Sequence, residues 1–362
     1  MVKRIIFVIP YPLGESPSQR FRFEQYLSIL QSHNYNCEIH SFWSISAWRI
    51  LYKNGHTLKK FILLLEGFLK RMMLLFFSTH SADYVFIHRE ATPVGPPLFE
   101  WITATILRKK IIYDFDDAIW LPNTSEQNKL ISKIKWTSKV KLICQLSHKV
   151  SAGNEYLCAF ARQYNASVFL NPTTIDVENL HTTSIHRSNN DTDIITIGWT
   201  GTHSTLPYLT SFKSIFQQIE NKYPNRVRLL VIADKKPQLK IDSLQFLPWT
   251  KTTEITDLLR IDIGIMPLTD NEWDKGKCGF KILQYMALGI PAVASPVGVN
   301  IKIIEHGKNG YLCESPEEWI QSLEKLITSH SLREKIGKAG REDVIARYSV
   351  LSNCPNFLSL FE

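Results

Sequence analysis

At 362 residues with 44% hydrophobic side chains, the chain is too long for one small core and too apolar for a disordered one, so two globular domains are expected. The 42 Lys and Arg outnumber the 34 Asp and Glu, and the net +8 suits an anionic partner such as a nucleotide phosphate, a nucleic acid or an acidic membrane surface. Six cysteines (Cys37, Cys144, Cys158, Cys278, Cys313 and Cys354) follow no CxxC or metal spacing, which points away from a zinc module and toward a reduced, cytoplasmic protein.

The opening MVKRIIFVIPYP is too short for a secretory apolar region and reads as a first strand. No run reaches the ~18 apolar residues that a membrane span needs. Strand-like runs follow at Arg4–Ile9, Asn36–His40, Tyr84–His88, Lys110–Phe115, Lys149–Ala152 and Ser167–Leu170, with helical stripes such as Phe23, Tyr26, Leu27 and Leu30 between them. The polar stretch His181–Asp193 has no apolar periodicity and reads as an interdomain linker. The alternation restarts at Ile194–Trp199, Val227–Ala233, Leu244–Pro248, Asp262–Pro267, Pro291–Ala294 and Gly310–Cys313. This pattern predicts an α/β chain of two Rossmann-like, doubly wound parallel-sheet domains, 1–185 and 186–362, facing a cleft, with ligands at the carboxyl ends of the strands.

Two regions depart from the alternation. Ala47–Phe77 carries Arg49, Lys53, Lys59, Lys60, Lys70 and Arg71 against the single acid Glu66, in a strongly apolar background. A basic amphipathic hairpin of this kind can lie in an anionic membrane interface; the alternative is a helix packed on the sheet with a solvated basic face. A second basic stretch, Lys129, Lys133, Lys135, Lys139 and Lys141, reads equally well as a solvated helix face.

Several short stretches could carry chemistry. His88 ends its strand and is followed at once by Arg89 and Glu90, while Asp114, Asp116 and Asp117 end the next strand. Three clustered carboxylates would repel one another and raise a pKa, or bind sugar hydroxyls; a magnesium site is conceivable but not expected. In IGWTGTHS, Gly198 and Gly201 allow backbone N–H groups to approach a phosphate at a helix start, although the third glycine of a dinucleotide fingerprint is missing and Asp234 is a poor match for its ribose acid. In GKCGFKILQYMALGIPAVASPVGVN, Gly276 and Gly279 permit close backbone approach, and Lys281 puts a cation at the start of a helix that buries Ile282, Leu283, Met286 and Ala287. Loop and helix together suit an anion.

Taken in order and spacing, IGWTGT, FLPW, DIGIMPL and GKCGFKILQYMALGIPAVASPVGVN…EHGKNGYL resemble the donor half of GT-B glycosyltransferases, specifically glycosyltransferase family 4 (glycosyl transferases group 1). LREKIGKAGREDVIARYS resembles that family's closing helices, and RFRFEQYL, VFIHREATPVGPP and YDFDDAIW carry a fainter resemblance in the first half. The resemblance implies a GT-B fold and donor-binding roles for Gly201, Thr202, Trp249, Gly276, Lys277, Gly279, Phe280, Lys281 and Gln284. Of the family's two spaced glutamates, the second, which holds the ribose hydroxyls, corresponds here to Gln284. The first falls on Gly276, so its contact with the donor sugar must be lost or come from another residue such as Asp274. His88, Lys281 and Asp117 are the implied catalytic residues, and Arg20, Arg89, Glu90, Asp114 and Asp116 the implied acceptor-binding set.

The resulting expectation is a cytoplasmic hexosyltransferase, peripheral on the inner face of the membrane. It would move a hexose from a nucleotide-diphosphate sugar to a lipid-linked saccharide or polysaccharide acceptor in cell-surface polysaccharide biosynthesis, with retained configuration. No cofactor or metal is expected, the nucleotide sugar being a substrate, and nucleic acid is not expected as a partner because no RNA- or DNA-binding pattern is present. A GT-B sugar-nucleotide epimerase and a non-catalytic sugar-nucleotide-binding protein are the alternatives.

Overall fold

A computed structural model of the chain describes residues 2–51, 53, 55–121, 136–182 and 194–362. It contains two six-stranded sheets in which every recorded strand pairing is parallel. The first holds β1 (Lys3–Ile9), β2 (Tyr35–Ser41), β3 (Tyr84–His88), β4 (Lys110–Phe115), β5 (Lys149–Ala152) and β6 (Val168–Leu170), in the order β2-β1-β3-β4-β5-β6. The second holds β7 (Ile195–Gly201), β8 (Val227–Ala233), β9 (Leu244–Pro248), β10 (Ile263–Met266), β11 (Ala292–Ala294) and β12 (Tyr311–Leu312), in the order β12-β11-β10-β7-β8-β9. Each strand expected from the sequence is present, with ends within two residues of the expected ones. Central strands such as IIFVI in β1 are apolar throughout because helices cover both faces of a parallel sheet, and Ile5 to Ile9 are fully buried.

Strand order locates the ligand-binding edges. In the first sheet the chain goes from β1 outward to β2 and then returns to place β3 on the other side of β1; in the second it does the same at β7, with β8 on one side and β10 on the other. Loops leaving β1 and β3, or β7 and β10, diverge to opposite faces, and the gap between them opens at the strands' carboxyl ends. These edges follow Ile9 and His88 in the first sheet and Gly201 and Met266 in the second.

The domain boundaries differ from those expected. One compact unit comprises Met1–Thr173 together with Asn353–Glu362, and the other Thr174–Ser352, so the closing segment assigned to the second half belongs to the first. The cause is aromatic packing. Phe357 stacks on Tyr26 at 4.2 Å and Phe361 contacts Tyr84 and Phe86, with Phe357, Leu360 and Phe361 all fully buried. The helix Val350–Leu358 begins in one unit and ends in the other. Most of the expected linker, 183–193, lies outside the described residues.

Ala47–Phe77 forms the helices Ile45–Leu51 and Thr57–Phe77. The longer one has two apolar sides. Gly67 and Leu74 face inward, and Gly67 must lack a side chain because its Cβ would stand 2.5 Å from the Phe42 ring. Leu58, Phe61, Ile62, Leu65, Leu69, Met72, Met73 and Phe76 lie outward and exposed at helical spacing. Arg71 is not among the outward cations, contrary to the surface role the sequence suggests. It is buried, and its guanidinium donates to the carbonyls of Ile9, His40 and Ala91 at 2.8, 3.0 and 2.8 Å. Burial pushes its pKa down to about 9, with nearby Glu100 opposing the shift. Of the second basic stretch, Lys129, Lys133 and Lys135 lie outside the described residues; Lys141 is exposed, whereas Lys139 is buried against Glu90 at 2.8 Å and is no solvated face.

Phe357→Ala removes a fully buried ring from the first unit and should lower stability by about 3–5 kcal/mol. Urea denaturation followed by tryptophan fluorescence measures the shift; an unchanged midpoint would mean the closing segment adds nothing to this core.

Candidate functional site

In the second unit the stretch expected to cradle an anion forms the helix Phe280–Ala287 and its cap. Its N-cap, Gly279, sits at φ 68°, a left-handed conformation that disfavours side chains, and a Cβ there would meet Ile303 at 2.2 Å. The helix is pinned to β7 by Tyr285, whose hydroxyl accepts the Thr200 N–H at 3.1 Å; burial pushes this phenol's pKa up, so it stays neutral. Lys281, in the first turn and half-buried, lays its ammonium 5.4 Å from the centre of the buried Trp199 ring on β7. Lys277 stands 5.5 Å from the Trp273 ring. Two lysines and Phe280 thus gather at one helix N-terminus, an arrangement that favours phosphate.

The neighbouring residues refine the expected roles. Gly201 ends β7 beneath the Trp199 ring, which a Cβ would strike at 2.2 Å, so packing requires this glycine. Thr202 follows in an exposed turn closed by its N–H on Thr205 Oγ1 at 3.1 Å, and Asp234 holds the adjacent His203 at 2.6 Å. Trp249 leaves the carboxyl end of β9 half-buried. Gly276 has φ −72°, which any residue can adopt, and ends the short helix Glu272–Lys275. Asp274 does not stand ready to replace a lost glutamate. It is fully buried and accepts from Tyr208 Oη, from the Thr269 N–H at 3.2 Å and from Asn271 Nδ2 at 3.0 Å, holding the loop after β10 together.

Gln284 is buried rather than solvent-facing, and its Nε2 donates to Glu254 Oε1 at 3.5 Å. Asn300 was not singled out from the sequence. Its Nδ2 donates to the Ser295 carbonyl at 3.0 Å, while its buried Oδ1 has no partner among the described residues and lies 3.7 Å from where a Gly279 Cβ would stand. A lone Asn after an apolar run gives no signal in sequence; only its placement beside Gly279 marks it.

In the first unit, the ends of β1, β3 and β4 converge on a charged cluster. The expected acceptor residue Asp114 is fully buried, and so is His88. His88 Nδ1 donates to Asp114 at 2.8 Å and its Nε2 lies 3.3 Å from Ser18 Oγ. Arg22, which the sequence reading passed over, is buried with them and pairs with both Asp114 oxygens. Ser151 Oγ adds a 2.6 Å hydrogen bond. Arg89 takes φ 61°, an uncommon conformation for a side-chain-bearing residue, and binds Asp116 at 2.7 Å and Asp117 at 2.6 Å.

Asp114 and Asp116 are therefore not pushed upward by their acidic neighbours. Burial alone would raise Asp114, but the Arg22 charge and the His88 hydrogen bond outweigh it and hold the carboxyl well below the usual range. Asp116 is likewise lowered, Arg89 outweighing burial. Glu90 is held by Lys139 at 2.8 Å, and Arg20 lies 5.0 Å from the Phe21 ring. Arg89, Asp116 and Asp117 keep part of their surface in solvent; His88 and Asp114 lie beneath them.

This architecture is the GT-B glycosyltransferase fold. Over 99% of the chain it superposes on sucrose-phosphate synthase from Thermosynechococcus elongatus, covering 98% of that chain with a TM-score of 0.69 at 12% identity. It also superposes on Anabaena HepE solved with UDP and glucose, covering 99% of each chain with a TM-score of 0.62 at 14% identity. Residues 195–329, within the second unit, match the family model described as Glycosyl transferases group 1. Among curated proteins, Bacillus subtilis spore coat protein SA is 34% identical over 82 residues, and Bacillus anthracis N-acetyl-alpha-D-glucosaminyl L-malate synthase 27% identical over 100 residues. These stretches cover 22% and 27% of this chain and span only 22% and 25% of the relatives' lengths.

The depressed Asp114 pKa fixes a pH dependence. A lowered folded-state pKa contributes stability that is complete above the unfolded value of about 3.9 and is lost as the pH falls below it toward the folded value. Asp114→Asn, which strands the buried Arg22 charge, should cost about 3–5 kcal/mol at neutral pH and flatten this acid limb. Chemical denaturation at several pH values reads both; an Asn variant of wild-type stability would show that the pair contributes nothing.

Proposed function

We propose that the protein is a glycosyltransferase that moves a hexose from a nucleoside-diphosphate sugar to a lipid-linked or polysaccharide acceptor, with retained configuration. The observation that carries this reading is the cradle at the β7–β10 switch point, where Gly279 in a left-handed cap opens a helix bearing Lys281 in its first turn. There the leaving diphosphate would be met by backbone N–H groups and lysine ammonium groups, so departure is assisted by fixed positive charge without recourse to a metal. Asp117 and Arg89 beside the buried His88 would orient the acceptor hydroxyl, and Arg20, Glu90 and Asp116 would border it. HepE, with the same fold, was solved with UDP and glucose, which supports a nucleotide-sugar donor here.

The acceptor reading draws on the Thr57–Phe77 helix. Among the described residues no helix is long and apolar enough to cross a membrane. This one instead exposes an apolar stripe along its whole length, with Lys59 exposed beside it and Lys60 and Lys70 half-exposed. Such a helix lies in an interface with its apolar side among the acyl chains, each cation adding about 1 kcal/mol near an anionic leaflet. The enzyme would then work on the cytoplasmic face, where lipid-linked saccharides are within reach.

Two measurements test this. Lys281→Ala should weaken a nucleoside diphosphate by about 1–3 kcal/mol in calorimetry and leave the bare nucleoside almost unaffected, because the lost charge faces phosphate; equal weakening of both would remove Lys281 from the phosphate site. In vesicle co-sedimentation, the protein should bind phosphatidylglycerol vesicles at low salt, and Lys59→Gln/Lys60→Gln/Leu65→Asp should release it without loss of nucleotide binding. Arg71 is excluded from this variant because it holds the fold together. Wild-type protein remaining in the supernatant would refute the membrane reading.

A further inference from the structure

We infer that the apolar cavity between the helices Leu98–Trp101 and Lys139–Leu146 holds one hydrocarbon chain of the lipid that carries the acceptor, an assignment that rests on the membrane-bound acceptor proposed above. The cavity measures about 280 Å³, close to the lower end of the ~300–1,000 Å³ of small-ligand pockets, so it suits a narrow ligand. Pro96, Pro97, Leu98 and Trp101 line one side, and Leu142 and Leu146 the other. Leu98, Trp101 and Leu142 are 59%, 46% and 37% exposed, so the mouth opens on the surface.

The topology places this cavity on the face that carries the exposed apolar stripe. Along the first sheet, β2, β3, β4 and β5 succeed one another in a single direction, with β1 between the first two. Right-handed crossovers therefore put the connecting helices, Thr57–Phe77, Leu98–Trp101 and Lys139–Leu146, on the same side of the sheet. They pack against one another in that order. The outward residues of the long helix thus share one apolar face with Leu98, Trp101, Ile106 and Leu142, and the cavity is sunk into it. Lys59 and Lys141, exposed on the first and third of these helices, give the face charge to meet an anionic leaflet. A tryptophan at the mouth suits that level, its ring apolar and its N–H wet.

The lining favours a hydrocarbon over a peptide. A docked peptide needs partners for its backbone N–H and C=O groups. Pro96 and Pro97 have no N–H to give, and their carbonyls already accept the N–H groups of Leu98 at 2.8 Å and Trp101 at 2.9 Å. Besides the Trp101 indole, Gln145 is the one polar side chain among the lining residues. A hydrocarbon chain asks for no such partners and gains with every methylene buried. The walls also hold the loop that bears the candidate acceptor residues. Lys139, at the start of one wall helix, binds Glu90 at 2.8 Å and the Thr92 carbonyl at 2.6 Å, and Glu100 of the other accepts the Ala91 N–H at 3.0 Å. The chain from Arg89 to Pro96 can span at most about 25 Å, so a lipid seated here has its head group within reach of that loop.

Calorimetry of the full chain with n-alkyl maltosides, below their micelle-forming concentrations, tests the cavity, the uncharged head group isolating the effect of the alkyl chain. Affinity should rise about three- to fourfold per added methylene and level off once the cavity is full. Leu142→Asp sets a carboxylate at the mouth, and Gln145→Trp adds bulk from an exposed position without touching the core. Each should weaken decyl maltoside at least about tenfold, whereas Lys59→Gln/Lys60→Gln/Leu65→Asp should leave it bound. No binding by the wild type, unaltered binding in both cavity variants, or affinity that climbs without a plateau would overturn the chain site, even if phosphatidylglycerol vesicles are bound. Wild-type protein that binds the maltosides as expected but stays off vesicles would overturn the membrane-bound acceptor, and the lipid as the chain's source with it. A dimer in solution that Leu142→Asp dissociates would assign this face to a second copy of the chain and overturn the lipid.

Discussion

A single buried ion pair, Arg22 with Asp114, organises the functional edge of the first unit. Taking both charges out of water is costly, and it is tolerated because both are hydrogen-bonded beyond the pair itself: Ser151 and His88 donate to Asp114, and the Asn171 carbonyl accepts from Arg22. Because Asp114 stays ionised, His88 must carry its proton on Nδ1, which leaves Nε2 facing Ser18. The next residue, Arg89, donates its backbone N–H to the Asp114 carbonyl at 2.7 Å and turns into a left-handed conformation that delivers its guanidinium to Asp116 and Asp117. The exposed chemistry of this edge is laid over a buried electrostatic foundation.

Arg71 extends that foundation to the helix with the exposed apolar stripe. Its three hydrogen bonds reach the ends of β1 and β2 and the segment just after β3, so the helix that would meet a lipid surface is fastened to the strands that carry the candidate acceptor residues. Ala91, whose carbonyl Arg71 holds, has its N–H taken by Glu100, and the Thr92 carbonyl takes Lys139 at 2.6 Å. The loop bearing Arg89 and Glu90 is therefore held from three helices at once.

The second unit relies on packing to shape the helix start at Gly279. Shape does the positioning: Trp199 lies over Gly201, Ile303 fills the space beside Gly279, and Tyr285 crosses to β7. Of the polar groups left inside, Gln284 and Asn300 are neutral amides, whose burial costs less than that of a charge, and the Asn300 Oδ1 has no partner among the described residues.

The sequence by itself determined the two parallel sheets, because apolar runs bounded by turns and separated by helical stripes leave few other ways to bury them. It also determined the glycine-capped helix start with its lysine, since that is a local arrangement, complete within a few residues. It could not determine that the closing ten residues return to the first unit, because the rings they pack on, Tyr26, Tyr84 and Phe86, lie hundreds of positions away. Charges were the least legible. Arg71 among surface lysines, Asp114 among three aspartates and Arg22 beside Arg20 look alike in a string of letters. Whether each is solvated, paired or buried depends on partners 31, 92 or 149 residues distant, and only the tertiary structure brings those together.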